Sequence, residues 1–217
     1  MISFPQSLLA GYRAFRTQRL PIEQSRYREL SVRGQSPEVM VIGCCDSRVS
    51  PEVIFDAGPG ELFVMRNIAN LVPVYQPDEN AHGVSAALEY AVNVLRIKHI
   101  VVLGHAQCGG IRAFVDKIEP LSPGDFIGKW MAMFMKPGEV VEQRSHETMQ
   151  DFVVRIEKAA VFRSLENLLT FPFVRTRVEQ GDLLLHGAYF GVAEGSLFVL
   201  DKQTKEFRSA REGQGGE

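Results

Sequence analysis

The sequence predicts an α/β fold in which helices flank a mostly parallel β-sheet of four to five strands. Short apolar runs rich in β-branched residues alternate with longer segments of helical periodicity, as in strands joined by crossover helices. The runs are apolar throughout, which is typical of strands covered on both faces. The chain has 217 residues, 45% of them hydrophobic and 23% charged, which suits one domain with a sizeable core.

Each element is placed by its periodicity and by the Gly and Pro residues around it. An N-terminal helical arm is expected within residues 1–30, with a break at Pro21. Strands are expected at 39–42, 62–65, 99–103, 182–192 and 196–200. Helices are expected at 78–95 (capped by Asp78 or Asn80), 109–115, 125–136 and 145–170. The single domain should span 1–208, and the polar, Gly-rich residues 209–217 should form a disordered tail.

Composition excludes several functional classes. The formal net charge of −2 and the pI of about 6.2 give no indication of nucleic acid or an anionic membrane as partner. No apolar run approaches the ~20 residues that span a bilayer, and the N-terminus lacks the apolar core of a signal peptide. Three cysteines, two of them adjacent, make a poor disulfide framework. We therefore expect a cytoplasmic protein whose thiols serve a metal.

Two short motifs carry the candidate chemistry. CCDSR occupies residues 44–48 and HAQCGG occupies residues 105–110, each directly after an apolar run. If these strands end side by side, a thiol of the first motif meets His105 and Cys108 of the second. Two thiolates and one imidazole are three zinc ligands, and a site with three protein ligands leaves a position open for water. This is the pattern of a catalytic metal site.

The first motif leaves a choice of ligand and adds a charged pair. Cys44 and Cys45 compete for the metal, because neighbours at a strand end point to opposite sides. Asp46 and Arg48 suit a site beside zinc, since a guanidinium that forks a carboxylate holds it away from the vacant coordination position. Asp46 can then accept a hydrogen bond from zinc-bound hydroxide.

Together, these residues resemble the β-class carbonic anhydrases. The resemblance covers roughly residues 30–200 and extends to the segments PGELFVMRNIAN at 59–70 and ALEYA at 87–91. It implies reversible hydration of carbon dioxide to bicarbonate and a proton. It also implies one Zn²⁺ per subunit, bound by Cys44, His105 and Cys108, with Asp46 and Arg48 as the catalytic dyad. Cys45 falls at a variable position of the family and is expected to be a packed thiol.

The plant-like subclass of that family lines its substrate pocket with a Gln, a Phe and a Tyr. The matching residues are Gln35, Phe63 and Tyr90, and Gly109 is assigned to the same pocket. The amide of Gln35 is expected to hydrogen-bond bicarbonate, while the rings give carbon dioxide an apolar surface.

A second subclass binds regulatory bicarbonate with a Trp, an Arg and a Tyr, and in it the Asp can replace water on zinc. The corresponding positions hold Val41, Arg66 and Phe190. The missing Trp and Tyr argue against this regulated form, so an open site is predicted.

The resemblance implies a homodimer or a multiple of dimers, in which the N-terminal helices embrace the partner. Three alternatives use other chemistry. The same zinc site could hydrolyse carbon disulfide or carbonyl sulfide. A redox sensor built on Cys44 and Cys45 would leave Asp46, Arg48 and Gln35 without a role. A doubly wound nucleotide-binding protein lacks its glycine fingerprint.

Overall fold

The computed structural model describes residues 4–135, 139 and 141–210. Across those residues, six strands are assigned: β1 (Val39–Cys44), β2 (Leu62–Asn67), β3 (His99–His105), β4 (Leu184–Gly191), β5 (Ser196–Leu200) and β6 (Phe207–Ser209). They form one sheet in the order β2-β1-β3-β4-β5-β6, in which β1 to β4 run parallel and β5 and β6 are antiparallel. The predicted α/β class with a mostly parallel sheet is confirmed. The expected four to five strands were too few, because β6 has only three residues and no apolar run.

Eight α-helices lie within the described residues. They are α1 (Gln6–Ala14), α2 (Leu20–Arg33), α3 (Pro51–Ile54), α4 (Gly83–Glu89), α5 (Gly109–Val115), α6 (Phe126–Ala132), α7 (Met149–Leu168) and α8 (Pro172–Glu179). The sequence analysis missed the short α3 and α8. None of the described helices combines the length and apolar character that crossing a bilayer requires.

The N-terminal arm is continuous, so the predicted break at Pro21 is wrong. A turn of π-helix over Phe15–Arg19 joins α1 to α2, with the Leu20 N–H donating to the Phe15 carbonyl. This wider turn precedes Pro21, which stands in the first turn of α2, where a missing N–H costs little. No residue of α1 or α2 is buried. The arm thus leaves several apolar side chains exposed: Leu8, Tyr12, Ile22, Tyr27 and Val32.

Helix α4 starts later than predicted, and neither proposed residue caps it. Gly83 is its first residue, and a π-helical turn over Tyr90–Val94 continues it. The Asp78 carboxylate instead accepts hydrogen bonds from the Asn80 N–H and the His82 ring, closing a turn before the helix. Short polar side chains often serve loops in this way.

Helix α7 supports the metal-bearing edge of the sheet. Of the predicted apolar face, Phe152 and Ile156 are buried, whereas Ala159, Phe162 and Leu165 are only partly buried. The buried face also carries polar residues, two of which hold the loop after β2. The Ser164 hydroxyl donates to the Asn70 carbonyl at 3.0 Å, and the Asn167 amide donates to the Val72 carbonyl at 2.7 Å.

Part of the predicted disordered tail belongs to the sheet. Ser209 ends β6, and the Ala210 N–H donates to the Leu197 carbonyl at 2.9 Å. Residues 211–217 lie outside the described residues. The extent of the single domain, 1–208, stays a prediction.

Helix α7 packs tightly against strand β3 at Gly104, next to His105. A Cβ added at Gly104 would lie 2.6 Å from Val161 Cγ2. We expect Gly104→Ala to lower the free energy of unfolding by about 1–3 kcal/mol, because a tightly packed core resists an added methyl group. Thermal unfolding measures this. Gly83→Ala is the matched control, since no atom lies within 4 Å of its added Cβ. Equal stability of the two variants would contradict this packing argument.

Candidate metal centre

Three potential metal ligands meet where β1 and β3 end. Cys44 is the last residue of β1, His105 is the last residue of β3, and Cys108 directly precedes α5. Their ligand atoms all lie within 4.8 Å of one another, and all three residues are buried. The two Sγ atoms are 3.9 Å apart. Two sulfurs at about 2.3 Å from a tetrahedral zinc ion would lie at nearly this separation.

The imidazole of His105 is oriented for a metal. Its Nδ1 lies 2.9 Å from the Ala106 carbonyl oxygen, which can only accept, so Nδ1 carries the proton. The Nε2 lone pair therefore faces the two thiols, and Nε2 is buried without a hydrogen-bond partner. Metal-bound histidines characteristically donate their other ring N–H to a carbonyl or carboxylate. This unpartnered nitrogen and the thiol pair fit a zinc ion.

Backbone donors stabilise negative charge on the two sulfurs. The contact with the Cys108 thiol contributes most to lowering the pKa of Cys44 to about 4, and the N–H groups of Asp46 and Ala69 lower this pKa further. The same contact raises the pKa of Cys108, whereas the N–H groups of Gly110 and Ile111 at the start of α5 lower it. These donors favour the thiolate form, which is the form that binds a metal.

Cys45 lies outside this cluster. It is exposed, so the expectation of a packed thiol was wrong. Cys44 points into the protein, and the alternation of side chains along a strand turns its neighbour towards solvent. Only the buried thiol of Cys44 can join the cluster.

Asp46 and Arg48 form a two-pronged ion pair beside the cluster. The Arg48 guanidinium donates to Asp46 Oδ1 at 2.9 Å and to Oδ2 at 2.7 Å, and the Arg48 backbone N–H also donates to Oδ1. These bonds hold the pKa of Asp46 well below its usual range, with Arg48 as the main cause. Arg48 also donates to the Gln107 carbonyl at 3.0 Å, which links the first motif to the second. Asp46 is therefore ionised at neutral pH and fixed in direction.

Arg66 fixes the backbone that carries these groups. Its guanidinium donates to the carbonyls of Cys44 at 2.8 Å and Asp46 at 2.7 Å. Arg66 thus holds the CCDSR loop in place. At the other two positions that distinguish the regulated subclass, Val41 is buried in β1 and Phe190 is partly buried in β4.

Gly109 and Gly110 open α5 at the site and differ in their surroundings. Gly109 is exposed, and no atom lies within 4 Å of an added Cβ. A Cβ on Gly110 would lie 2.5 Å from Ile68 in the helical turn Ile68–Asn70, which follows β2. The close approach at Gly110 keeps this turn beside Cys44, whose sulfur receives the Ala69 N–H.

The other predicted pocket residues lie at the opposite end of the sheet in this chain. Phe63 pairs with Met40, four residues before Cys44, and four residues of strand span roughly 13 Å. Tyr90 packs beside Phe63 with ring centroids 6.0 Å apart, and Gln35 is exposed in the loop that precedes β1. The structure therefore brings together five of the predicted site residues and Gly109, but not these three.

Sequence reasoning missed a buried carboxylate next to the cluster. Glu157 of α7 accepts hydrogen bonds from the Cys108 N–H at 2.9 Å and from the Tyr189 hydroxyl at 2.6 Å. Burial raises the pKa of Glu157, and these two hydrogen bonds oppose that rise. The available signal was an acid four residues from both Val153 and Val161 on the buried face of a helix.

The fold and the cluster define an α/β protein with a metal site of three side chains at the carboxyl edge of a parallel sheet. The family model for carbonic anhydrase matches residues 39–197. The relatives named below are of the β class, and the chain belongs to the β-class carbonic anhydrase family.

Three relatives illustrate this membership. Beta carbonic anhydrase 3 of Arabidopsis thaliana is 36% identical over 205 residues, which are 92% of this chain and 78% of the relative. The structure of the β-carbonic anhydrase CcaA has a TM-score of 0.83 at 29% identity, covering 94% of this chain and 98% of CcaA. A tetrameric β-carbonic anhydrase from Sordaria macrospora has a TM-score of 0.68 at 30% identity, covering 90% of this chain and 92% of the other.

Proposed function

We propose that this chain catalyses the reversible hydration of carbon dioxide to bicarbonate and a proton, with Zn²⁺ as its metal. One observation carries the proposal: two thiols and an unpartnered imidazole nitrogen converge beside an ionised carboxylate in a chain of this family. Cys44, His105 and Cys108 would hold the zinc. When bound, zinc supplies a nucleophile near neutral pH by lowering the pKa of water.

Asp46 and Arg48 orient the nucleophile in this proposal. A carboxylate that can only accept hydrogen bonds would accept one from the attacking oxygen nucleophile and so direct a lone pair of that oxygen at carbon dioxide. Arg48 engages both oxygens of Asp46, which keeps the carboxylate from becoming a fourth metal ligand. Val41 and Phe190 in place of a Trp and a Tyr support the same open, plant-like site.

Gln35, Phe63, Tyr90 and Gly109 are the proposed substrate-binding residues. Since the first three lie at the far end of the sheet from Cys44, we propose that a second copy of the chain brings them to the metal. Two observations support a homodimer or a multiple of dimers. The helical arm has no buried residue and leaves apolar side chains uncovered, and the Sordaria relatives are tetrameric.

A complementation experiment tests this shared site. Asp46→Ala and Tyr90→Ala should each be nearly inactive alone. When the two are co-expressed with different tags and the hybrid is purified, one of its two sites carries both changes and the other carries neither. The hybrid should therefore recover about half of the wild-type rate per dimer. A hybrid no more active than its parents would show that each chain builds its own pocket.

The rate should rise with pH above neutrality. Two thiolates cancel the charge of a divalent ion, so the nucleophile forms less readily than it would beside three neutral imidazoles. Because the pKa of Asp46 is held well below its usual range, Asp46 stays ionised and adds no change of its own near neutral pH. Stopped-flow measurement of kcat from mildly acidic to mildly alkaline conditions checks this, and a flat profile would contradict it.

The direct test of function is stopped-flow hydration of carbon dioxide, with metal content measured on the same sample. We expect one zinc per chain and a rate proportional to zinc content. Carbon disulfide and carbonyl sulfide are assayed in parallel, and turnover of either without carbon dioxide hydration would replace the proposal. The three cysteines are free thiols, which supports placing the protein in a reducing compartment such as the cytoplasm.

A further inference from the structure

The carboxylate of Glu157 lies under the metal cluster and is 2% exposed. Burying a carboxylate is costly unless its oxygens are satisfied. Oε1 accepts from the Cys108 N–H and Oε2 accepts from the Tyr189 hydroxyl, so each oxygen has a donor. The group therefore joins helix α7, strand β4 and the loop that carries Cys108.

The loop at Cys108 needs such a partner. Gln107 has a positive φ of 57°, a conformation that costs energy for a residue with a side chain. Cys108 follows it, is itself buried, and comes just before the first residue of α5. A buried N–H without an acceptor is destabilising. Glu157 accepts this N–H and so fixes the position of the backbone that carries the Cys108 thiol.

Tyr189 in turn fixes the carboxylate. It lies in β4 and pairs with Gly104 of β3, the residue that directly precedes His105. Its ring packs against Phe207, with centroids 6.1 Å apart, and under the Lys158 ammonium. The hydroxyl is thus held by rigid packing, and a rigid donor gives the carboxylate a single orientation.

We propose that Glu157 and Tyr189 are positioning residues for the metal, which hold Cys108 Sγ at its distance from Cys44 and His105. This inference rests on the proposed zinc function. Neither residue touches the metal or the substrate. Removing the Tyr189 hydroxyl leaves Oε2 of Glu157 buried without a hydrogen-bond donor. The carboxylate then becomes more stable if it turns towards another donor and away from the Cys108 N–H.

The test compares zinc release from intact, zinc-loaded proteins to a chromophoric chelator. Tyr189→Phe should release zinc about 10-fold faster than wild type, the lower end of the range for outer partners of metal ligands. Glu157→Gln keeps an acceptor for Cys108 and can donate to the Tyr189 oxygen, so its release rate should fall between those two proteins. The sulfur-to-cobalt charge-transfer band of the cobalt-loaded protein should shift in Tyr189→Phe.

Phe207→Leu is the matched control. It removes one packing contact of the same ring but keeps the Tyr189 hydroxyl and its hydrogen bond to Glu157, so it should lower the melting temperature and yet release zinc much more slowly than Tyr189→Phe. If Tyr189→Phe loses zinc no faster than Phe207→Leu, the inference is overturned. If the wild-type protein holds no zinc, the proposed function itself fails, which is a separate and earlier result.

Discussion

Cys108→Ser is expected to lose stoichiometric zinc and nearly all carbon dioxide hydration. A serine hydroxyl keeps its proton at neutral pH and is a poor zinc ligand, whereas the Cys108 sulfur lies 3.9 Å from that of Cys44 and receives two backbone N–H groups. Loss of an outer partner already weakens metal binding about 10–100-fold, so loss of a ligand should weaken it more than 100-fold. Elemental analysis after dialysis and stopped-flow assay of the same sample measure both effects.

Cys45→Ser is the matched control for this variant. It makes the same chemical change at a thiol that is exposed and outside the cluster. We expect wild-type zinc content and turnover. Full metal content in Cys108→Ser, or loss of zinc in Cys45→Ser, would mean that the assignment of ligands is wrong.

Asp46→Ala should separate turnover from metal binding. The variant removes the acceptor that orients the nucleophile but none of the three ligands, so zinc content should remain near one per chain. Misplacing a reacting group can cost about 100-fold, and we expect kcat to fall by about 100-fold or more. The measurement is stopped-flow kcat per bound zinc.

Asp116→Ala tests whether any broken Asp–Arg pair has the same effect. Asp116 accepts a hydrogen bond from Arg112 at 2.6 Å on the protein surface. Such exposed ion pairs contribute little to stability. Its kcat per zinc should equal that of wild type. An equal loss in both variants, or undiminished turnover in Asp46→Ala, would remove Asp46 from the mechanism.

The cluster was predictable because it depends on a simple property of parallel sheets. Residues that follow two adjacent parallel strands meet at the same edge, and β1 and β3 are adjacent. The extension of these strands to Cys44 and His105 was not predicted, since Gly, Cys and His carry no apolar signal. The class of fold followed from the apolar runs alone, but β6 did not, because three residues of mixed polarity show no period.

Features that depend on long-range packing could not be predicted from the sequence. The π-helical turn that carries the arm past Pro21 is a tertiary accommodation, and local propensity indicates only a break. The position of Gln35 relative to Cys44 depends on the direction of β1 and on assembly, which one chain does not encode locally. Glu157 was overlooked because a single acid on a helix is usually solvated, and its partner Tyr189 is distant in sequence.

The orientations of the Cys44 and Cys45 thiols argue against the redox-sensor alternative. Cys44 faces Cys108 in the interior, while Cys45 is exposed, so the adjacent pair does not face one common partner. Asp46 and Arg48 also form an organised pair that links the two motifs, which a simple thiol switch does not require. These observations favour catalysis at the cluster.

A crystal structure of the zinc-loaded protein at alkaline pH tests the central claim most directly. We predict zinc bound by Cys44 Sγ, Cys108 Sγ and His105 Nε2, with a solvent oxygen as the fourth ligand and the pair of Asp46 and Arg48 intact. A carboxylate oxygen of Asp46 on the zinc, or a fourth side chain from any other residue, would contradict the account.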